Sequence, residues 1–388
     1  MRIRVISQLA AVICMAVLGT VIAHSQSTPD LPVDDGSGTD IGTGVTPGVS
    51  SGSILTLSSY TRVSPTEKAG LGTGAAIFNG TLYLAWKGMG NDYFNISHST
   101  DATGKTISSP ITLTNGEFGI MNSAPSLAVY NGVLYAAFTD GYGKVQLTSS
   151  TDGSTFSTPS QVLFYGPGTG SSNSGAYAGW VDSAPTLVVF DGNLYVFFQV
   201  ADNADGHYVI SANVSNGGGS YNPGPCSYTP SSTQTQAIDH SSVGAAVLQN
   251  TLVVGMQVAN PNGANSLMVC NAYSASYPGF FTNITSISPG SGISAASYVD
   301  VNSNASLYFA FKDNTSSNYL SIAGTTDGVS FSPFSYSNTD SRFTKGVLQI
   351  NGQSPWEIAP TIVNYNNGYL VFYTANDNTH YIYSAYSE

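Results

Sequence analysis

Two of the chain's three tryptophans stand beside carboxyl groups: Trp180 precedes Asp182 by two residues and Trp356 immediately precedes Glu357. A pair of carboxyl groups can divide acid–base work at an acetal. One protonates the leaving oxygen while the other activates water or attacks carbon. An exposed indole beside carboxylate and amide groups also suits a sugar, because the ring covers the apolar face and the polar groups bond hydroxyls. Asn122 and His240 join the set by position. Like Asp182 and Glu357, each lies three residues before the Pro, or its replacement, of a recurring Ala-Pro step. The first copy has Gly70 at that place and the fifth has Ile293. Candidate ligand-binding residues are therefore Asn122, Trp180, Asp182, His240, Trp356 and Glu357, with Asp182 and Glu357 as the pair for hydrolysis. Trp86 ends an apolar strand, as Phe138, Phe198 and Phe311 do, and reads as core.

Those positions belong to a repeat. Residues 123–138 read SAPSLAVYNGVLYAAF and residues 183–198 read SAPTLVVFDGNLYVFF, identical at nine of sixteen places. The frame recurs at 72–86, 243–256, 295–311 and 359–373, marked by Leu82, Leu134, Leu194, Leu252, Leu307 and Tyr369. Each copy carries a short apolar run, then in the clearest cases Asn-Gly or Asp-Gly, then a second apolar run. The dipeptide signals a type I′ hairpin, whose two central residues need positive φ. A third alternating strand, a polar turn and a fourth strand follow. Four strands in each of six copies predict an all-β chain, a six-bladed β-propeller of antiparallel blades. A single blade has two apolar faces and needs neighbours on both. The last copy stops after its third strand, so the segment Ser53–Ser59 is expected to supply the fourth and close the ring, hiding two sheet edges.

Three copies share a turn between their third and fourth strands: Ser150-Thr-Asp152-Gly153-Ser-Thr-Phe156, Thr325-Thr-Asp327-Gly328-Val-Ser-Phe331 and Ser99-Thr-Asp101-Ala-Thr-Gly104. It resembles the Asp-box of sialidase-like propellers, Ser-x-Asp-x-Gly-x-Thr-Trp, differing by one residue in spacing and by Phe or Ile in place of Trp. The frame APxLxxYNGxLYxAF is similar to repeats of propellers related to fucose-binding lectins. The resemblance spans most of residues 53–388 and implies a carbohydrate-directed propeller. A sialidase would also require three arginines clamping the substrate carboxylate. Beyond Arg2 and Arg4 the chain has only Arg62 and Arg342, which rules that mechanism out.

Composition narrows the partners. Ten Lys+Arg against 22 Asp+Glu give a formal charge of −12, and only 8% of residues are charged. Phosphate backbones need clustered cations, so nucleic acid is excluded as a partner, and anionic membranes are poor ones for the same reason. Residues 1–25 read as a signal peptide, with Arg2 and Arg4, an apolar run and Ala23-His24-Ser25; an uncleaved anchor is the alternative. Either implies a secreted or envelope location. Residues 26–52 are a Gly, Ser, Thr, Pro and Asp linker, and 53–388 the propeller. Cys226 and Cys270 either form a disulfide or remain buried thiols. No cofactor or metal is expected, since no CxxC, HExxH, P-loop or GxSxG occurs. The leading expectation is a monomeric, exported, carbohydrate-binding propeller without catalysis, with a glycan or polysaccharide as its partner. The alternatives are a glycoside hydrolase using Asp182 and Glu357, and a structural or adhesive module that binds protein.

Overall fold

A computed structural model describes residues 55, 57, 61–114, 120–162, 181, 183–201, 207–216, 224–228, 236–237, 241–260, 264–299, 303–314, 319–336 and 359–387. The expected leader and linker, residues 1–52, lie outside them. The described residues are all β, arranged as six blades with no helix among them. Blade 1 comprises Ala69–Phe78, Thr81–Gly88, Phe94–His98 and Ile111–Leu113; blade 2 Ser126–Tyr130, Val133–Thr139, Val145–Ser150 and Ser160–Gln161. Blade 3 has Thr186–Phe190, Asn193–Ala201 and His207–Asn213, with Tyr228 bridged to Val209 at its outer edge. Blade 4 has Gly244–Leu248, Thr251–Ala259, Asn265–Ala272 and Phe280–Ile284, and Gln236–Ala237 extends the inner edge. Blade 5 is Ser294–Val299, Ala305–Lys312, Leu320–Thr325 and Ser332–Tyr336. Blade 6 is Thr361–Tyr365, Gly368–Thr374 and Ile382–Ser387, completed by Thr61–Arg62.

The hairpins form where the dipeptides demand them. Asn79-Gly80, Asn131-Gly132 and Asp191-Gly192 all have positive φ at both positions, and Asn366-Asn367 does the same without glycine. Asn and Asp tolerate the left-handed region better than other side chains, so these turns cost little.

There is no single core. Six apolar clusters each join two consecutive blades, such as Phe94, Ile96 and Phe138 between blades 1 and 2 and Leu82, Trp86 and Phe372 between blades 6 and 1. Trp86 is fully buried there. This is why no blade is self-sufficient: each sheet face is covered only by its neighbour.

The closing strand differs from expectation in place. Thr61 pairs with Ser384 and Arg62 with Tyr383, two residues after Ser59. Leu55 and Leu57, of the expected strand, are instead buried in the cluster between blades 5 and 6. The turn after the closing strand explains the offset. Ser64 Oγ accepts the N–H groups of Thr66 and Glu67, and Lys68 bridges Tyr381. That short path into the inner strand of blade 1 fixes the ladder at Thr61–Arg62, leaving the two leucines for the core.

The inner strands clasp one another around the axis at one repeated position, occupied in turn by Gly74, Ser126, Thr186, Gly244, Ser294 and Thr361. Ser126 Oγ accepts Leu187 N–H (2.9 Å), Thr186 Oγ1 donates to Val243 O (2.6 Å) and Ser294 Oγ accepts Ile362 N–H (3.0 Å). Thr361 Oγ1 donates to Thr73 O and closes the circle. The two glycines stand where the next blade comes too close for a side chain: a Cβ on Gly74 would strike the Pro125 carbonyl, and one on Gly244 would strike Ile293 and the Ser294 backbone. The axial channel that remains is narrow, about 100 Å³, and is lined by these same strands. Its hydroxyls are engaged in holding blades together.

Candidate functional site

With only a narrow channel along the axis, lined by hydroxyls that clasp the blades, the candidate chemistry falls to the ends of the ring. One end carries the hairpin turns. At the other, each inner strand is entered, and there the candidate residues cluster in sequence. Strand register fixes their equivalence. Ser126, Thr186, Ser294 and Thr361 pair with Ala137, Phe197, Ala310 and Phe372 at matching places. Four residues upstream lie Asn122, Asp182, Gly290 and Glu357. The fifth copy therefore presents Gly290, not Ile293 as its sequence suggested. Asn122 N–H donates to Thr139 O at 2.8 Å and Gly290 N–H to Lys312 O at 2.7 Å, the same bond in two blades. Ile293 is buried and aligns with Pro125.

Of the candidates, Asn122 is described and half-buried. Its neighbours Met121 and Ser123 are both fully buried, so the extended chain turns the Asn122 side chain the other way. Trp180, Asp182, His240, Trp356 and Glu357 lie outside the described residues. The residues beside them do not: Val181 and Ser183 are buried at blade 3, Ser241 is buried at blade 4, and Ala359 leads into blade 6.

A second ring of polar groups was not picked out from the sequence. The residue five after each marker, at or within two places of the end of the second strand, is Lys87, Thr139, Gln199, Gln257, Lys312 or Thr374, polar in every blade. Three of them reach the next blade: Thr139 Oγ1 to Ser183 O (2.9 Å), Gln257 Nε2 to Pro289 O (2.7 Å) and Thr374 Oγ1 to Leu71 O (3.0 Å). The serine entering each of three blades returns a bond to this ring: Ser123, Ser183 and Ser291 accept the N–H of Thr139, Gln199 and Lys312 at 2.8–2.9 Å. Blade 3 is the irregular one. The Gln199 side chain is fully buried, and both its amide nitrogen and oxygen lack a partner among the described residues, as does Ser241 Oγ. A buried amide left unbonded costs on the order of 1–3 kcal/mol, and Gln199 is hydrogen-bonded through its backbone to Ser183, the residue after Asp182.

Three described acids at this end, Asp140, Asp313 and Asp92, are held by local bonds. Asp140 accepts the N–H of Tyr142 and Lys144 and the Gln146 amide, at 2.8–3.0 Å. Asp313 accepts Tyr319 N–H, and Asp92 is paired with Lys87 at 2.8 Å. Tyr142 (75% exposed) and Ile120 (55%) stand out on the surface beside Asn122, held together by Gly141 N–H to Ile120 O. Among the described residues, no group of His, Cys, Asp and Glu gathers as a metal site would need.

The best-anchored carboxylates sit at the hairpin end. Asp152 Oδ1 accepts Thr155 and Ser154 N–H at 2.7 and 2.8 Å, and those two bonds drive its pKa well below the usual carboxylate range. At Asp101 desolvation pushes upward, but hydrogen bonds from Thr103, Thr106 and the Lys105 backbone outweigh it and bring the pKa to about 2. Asp327 is lowered in the same way, with bonds from Ser330 and Val329 outweighing desolvation. These turns staple blades: Asn271 Nδ2 donates to Gly328 O (3.0 Å), and Phe156 packs on Phe94 of the preceding blade at 5.9 Å. Their acidity serves folding. Arg62 lies on the outermost strand of blade 6, its guanidinium 4.4 Å over the Tyr381 ring.

No family model and no curated protein sequence matches the chain. Solved structures do. An α-L-arabinanase from Penicillium chrysogenum, complexed with arabinobiose, aligns with 86% of this chain and 98% of its own at a TM-score of 0.59 and 15% identity. A Hadza microbial sialidase aligns with 85% of this chain and 66% of its own, at 0.53 and 16%. A mutant of the NanB sialidase from Streptococcus pneumoniae aligns with 85% and 71%, at 0.53 and 9%. The chain has the sialidase-like six-bladed propeller fold. At these identities the likeness is one of fold.

Proposed function

We propose that the chain acts on carbohydrate at the strand-entry end of the ring, as a glycoside hydrolase with Asp182 and Glu357 as its carboxyl pair. The observation that carries this reading is where the repeat stops repeating. Gly70, Asn122, Asp182, His240, Gly290 and Glu357 share one register position, yet no two adjacent blades carry the same group there, and Gln199, whose side-chain amide has no partner among the described residues, is bonded through its backbone to Ser183, the residue after Asp182. The fold likenesses to an arabinanase and to sialidases favour hydrolysis over binding alone.

Asp182 belongs to blade 3 and Glu357 to blade 6, opposite each other in the ring. We infer the inverting pathway, in which the two carboxyl groups stand about 6.5–9.5 Å apart and admit a water between them and the sugar. Glu357, with the higher intrinsic pKa, protonates the glycosidic oxygen; Asp182 draws the proton from water as it attacks the anomeric carbon. Trp180 and Trp356 stack on sugar rings, while Asn122 and His240 bond hydroxyls. With Arg62 held at the outer strand of blade 6, no arginine triad can form, and the substrate is a neutral glycan rather than a sialoside. We also infer export, from the basic start and apolar run at residues 1–25.

Reducing-end release from arabinan, xylan and other neutral polysaccharides tests this. Turnover on at least one, with none on sialosides, is the expected result. Binding without release on every glycan would return the chain to the binding-only reading.

A further inference from the structure

Blade 4 departs from its siblings at the hairpin end. Its turn between third and fourth strands reads Tyr273-Ser-Ala-Ser-Tyr277-Pro-Gly-Phe280 and displays three aromatic rings to solvent: Tyr273 is 64% exposed, Tyr277 38% and Phe280 56%. The rings adjoin, with centroids 5.2 Å apart for Tyr277–Phe280 and 6.4 Å for Tyr273–Phe280. Beside them is a cleft of about 290 Å³ between the hairpin tips of blades 3 and 4, lined by Val189, Phe190, Asp191, Val247, Asn250 and Tyr273.

The platform is held in place. The Cys226–Cys270 disulfide lies directly beneath it, and a Cβ on Gly279 would strike both sulfurs, so the turn crosses the disulfide at a residue without a side chain. Cys226 N–H donates to Pro278 O (2.9 Å), Tyr277 N–H to Ser274 O (3.2 Å) and Ala275 N–H to Asp191 Oδ2 (3.0 Å). A rigid aromatic surface loses little entropy on binding. Its polar complement is one carboxylate, with a single oxygen engaged by Ala275, and the exposed amide of Asn250. Among the described residues no cation lines the cleft.

We propose that this cleft and its aromatic turn are a second glycan-binding site, for a neutral polysaccharide chain, on the face opposite the strand-entry end. Sugar rings stack on Tyr273 and Phe280 while Asp191 and Asn250 bond hydroxyls. A carboxylate without a neighbouring cation turns away uronates and sialosides, whereas an uncharged chain has hydrogen-bond partners and apolar faces for both parts of the site. The proposal stands whether or not the entry end is catalytic.

Isothermal titration calorimetry with arabino-, xylo- and cello-hexaose tests it, using Glu357→Gln protein so that no probe is consumed. At least one hexasaccharide is expected to occupy a site that Tyr273→Ala/Phe280→Ala weakens about tenfold or more and that Asp182→Asn leaves unchanged. Both substituted rings are exposed, and an unaltered far-UV spectrum checks the fold. Binding that ignores the double substitution, or no binding by any hexasaccharide, overturns the proposal. So does self-association of the chain that the double substitution abolishes, which would make the rings a contact between copies.

Discussion

At the hairpin end of the inner strands, Asn79-Gly80, Asn131-Gly132 and Asp191-Gly192 repeat one turn with nearly the same dihedral angles. At the entry end, the six residues at one shared position range from glycine (Gly70, Gly290) through amide and imidazole (Asn122, His240) to carboxyl (Asp182, Glu357). The contrast separates two demands on one repeat. Tight turns and axial clasps must be alike for six sheets to meet in register, whereas at the entry position the shared duty falls on the backbone, as in the bonds of Asn122 and Gly290 to the neighbouring strand, and the side chain differs from blade to blade. The aromatic turn of blade 4 is an exception at the hairpin end: where blades 1, 2 and 5 have an Asp-anchored turn, blade 4 presents exposed rings.

Closure of the ring should give the largest effect. Removing residues 1–62 deletes Leu55, Leu57 and the strand that pairs with Tyr383 and Ser384. Differential scanning calorimetry is expected to show no cooperative transition, and light scattering to show aggregation through the open edge. Removing residues 1–52 alone should leave the transition within a few degrees; an equal loss from both truncations would mean the closing strand is not the latch.

Next comes the staple under blade 4. Replacing both Cys226 and Cys270 by serine frees a long loop and is expected to cost about 2–4 kcal/mol in denaturant titrations. The axial clasp should give intermediate effects that depend on the blade. Gly244→Ala forces a Cβ into Ile293 and should cost about 1–3 kcal/mol. Thr186→Val removes the bond to Val243 O and should cost about 1 kcal/mol. Equal tolerance at both would show that the inner strands are looser than their contacts indicate.

The smallest effect is the acid limb of the hairpin end. Asp101 has a folded pKa of about 2, below the ordinary 3.8. A depressed pKa stabilises the fold above the unfolded value, and that stabilisation is lost as pH falls from about 4 through 2. Asp101→Asn should flatten this limb of the stability curve, and an unchanged limb would deny the carboxylate its role.

Much of the fold was legible because folding constraints repeat. The Asn-Gly and Asp-Gly steps, the six marker positions and the large apolar residue late in each second strand (aromatic in five blades, Met256 in blade 4) all report local needs of a pleated, twice-buried sheet. Trp86 fell in the core for that reason. What was missed depended on how blades meet. The closing strand shifted from Ser53–Ser59 to Thr61–Arg62 because the turn at Ser64 sets the ladder, and alternation of Leu55 and Leu57 fits either a strand or a core insert. Gly290 was mistaken for Ile293 because the fifth copy lacks the Ala-Pro step that aligns the others; the bond to Lys312 O restores the register. The ring of Lys87, Thr139, Gln199, Gln257, Lys312 and Thr374 was present in the sequence, but a polar residue at a strand end looks like surface until the next blade is set against it. Whether Cys226 and Cys270 pair was equally a tertiary question, since 44 residues separate them while their Cα atoms lie 5.8 Å apart.

The central claim is that the divergent end of the ring cleaves a glycosidic bond through Asp182 and Glu357. Comparing hydrolysis rate and sugar affinity of the unmodified chain with those of Asp182→Asn and Glu357→Gln, on the polysaccharide it cleaves best, tests it most directly. Each substitution is predicted to lower the rate by about 10²–10⁴-fold while leaving affinity within a few-fold. Rates that survive both substitutions in a folded protein would contradict the account.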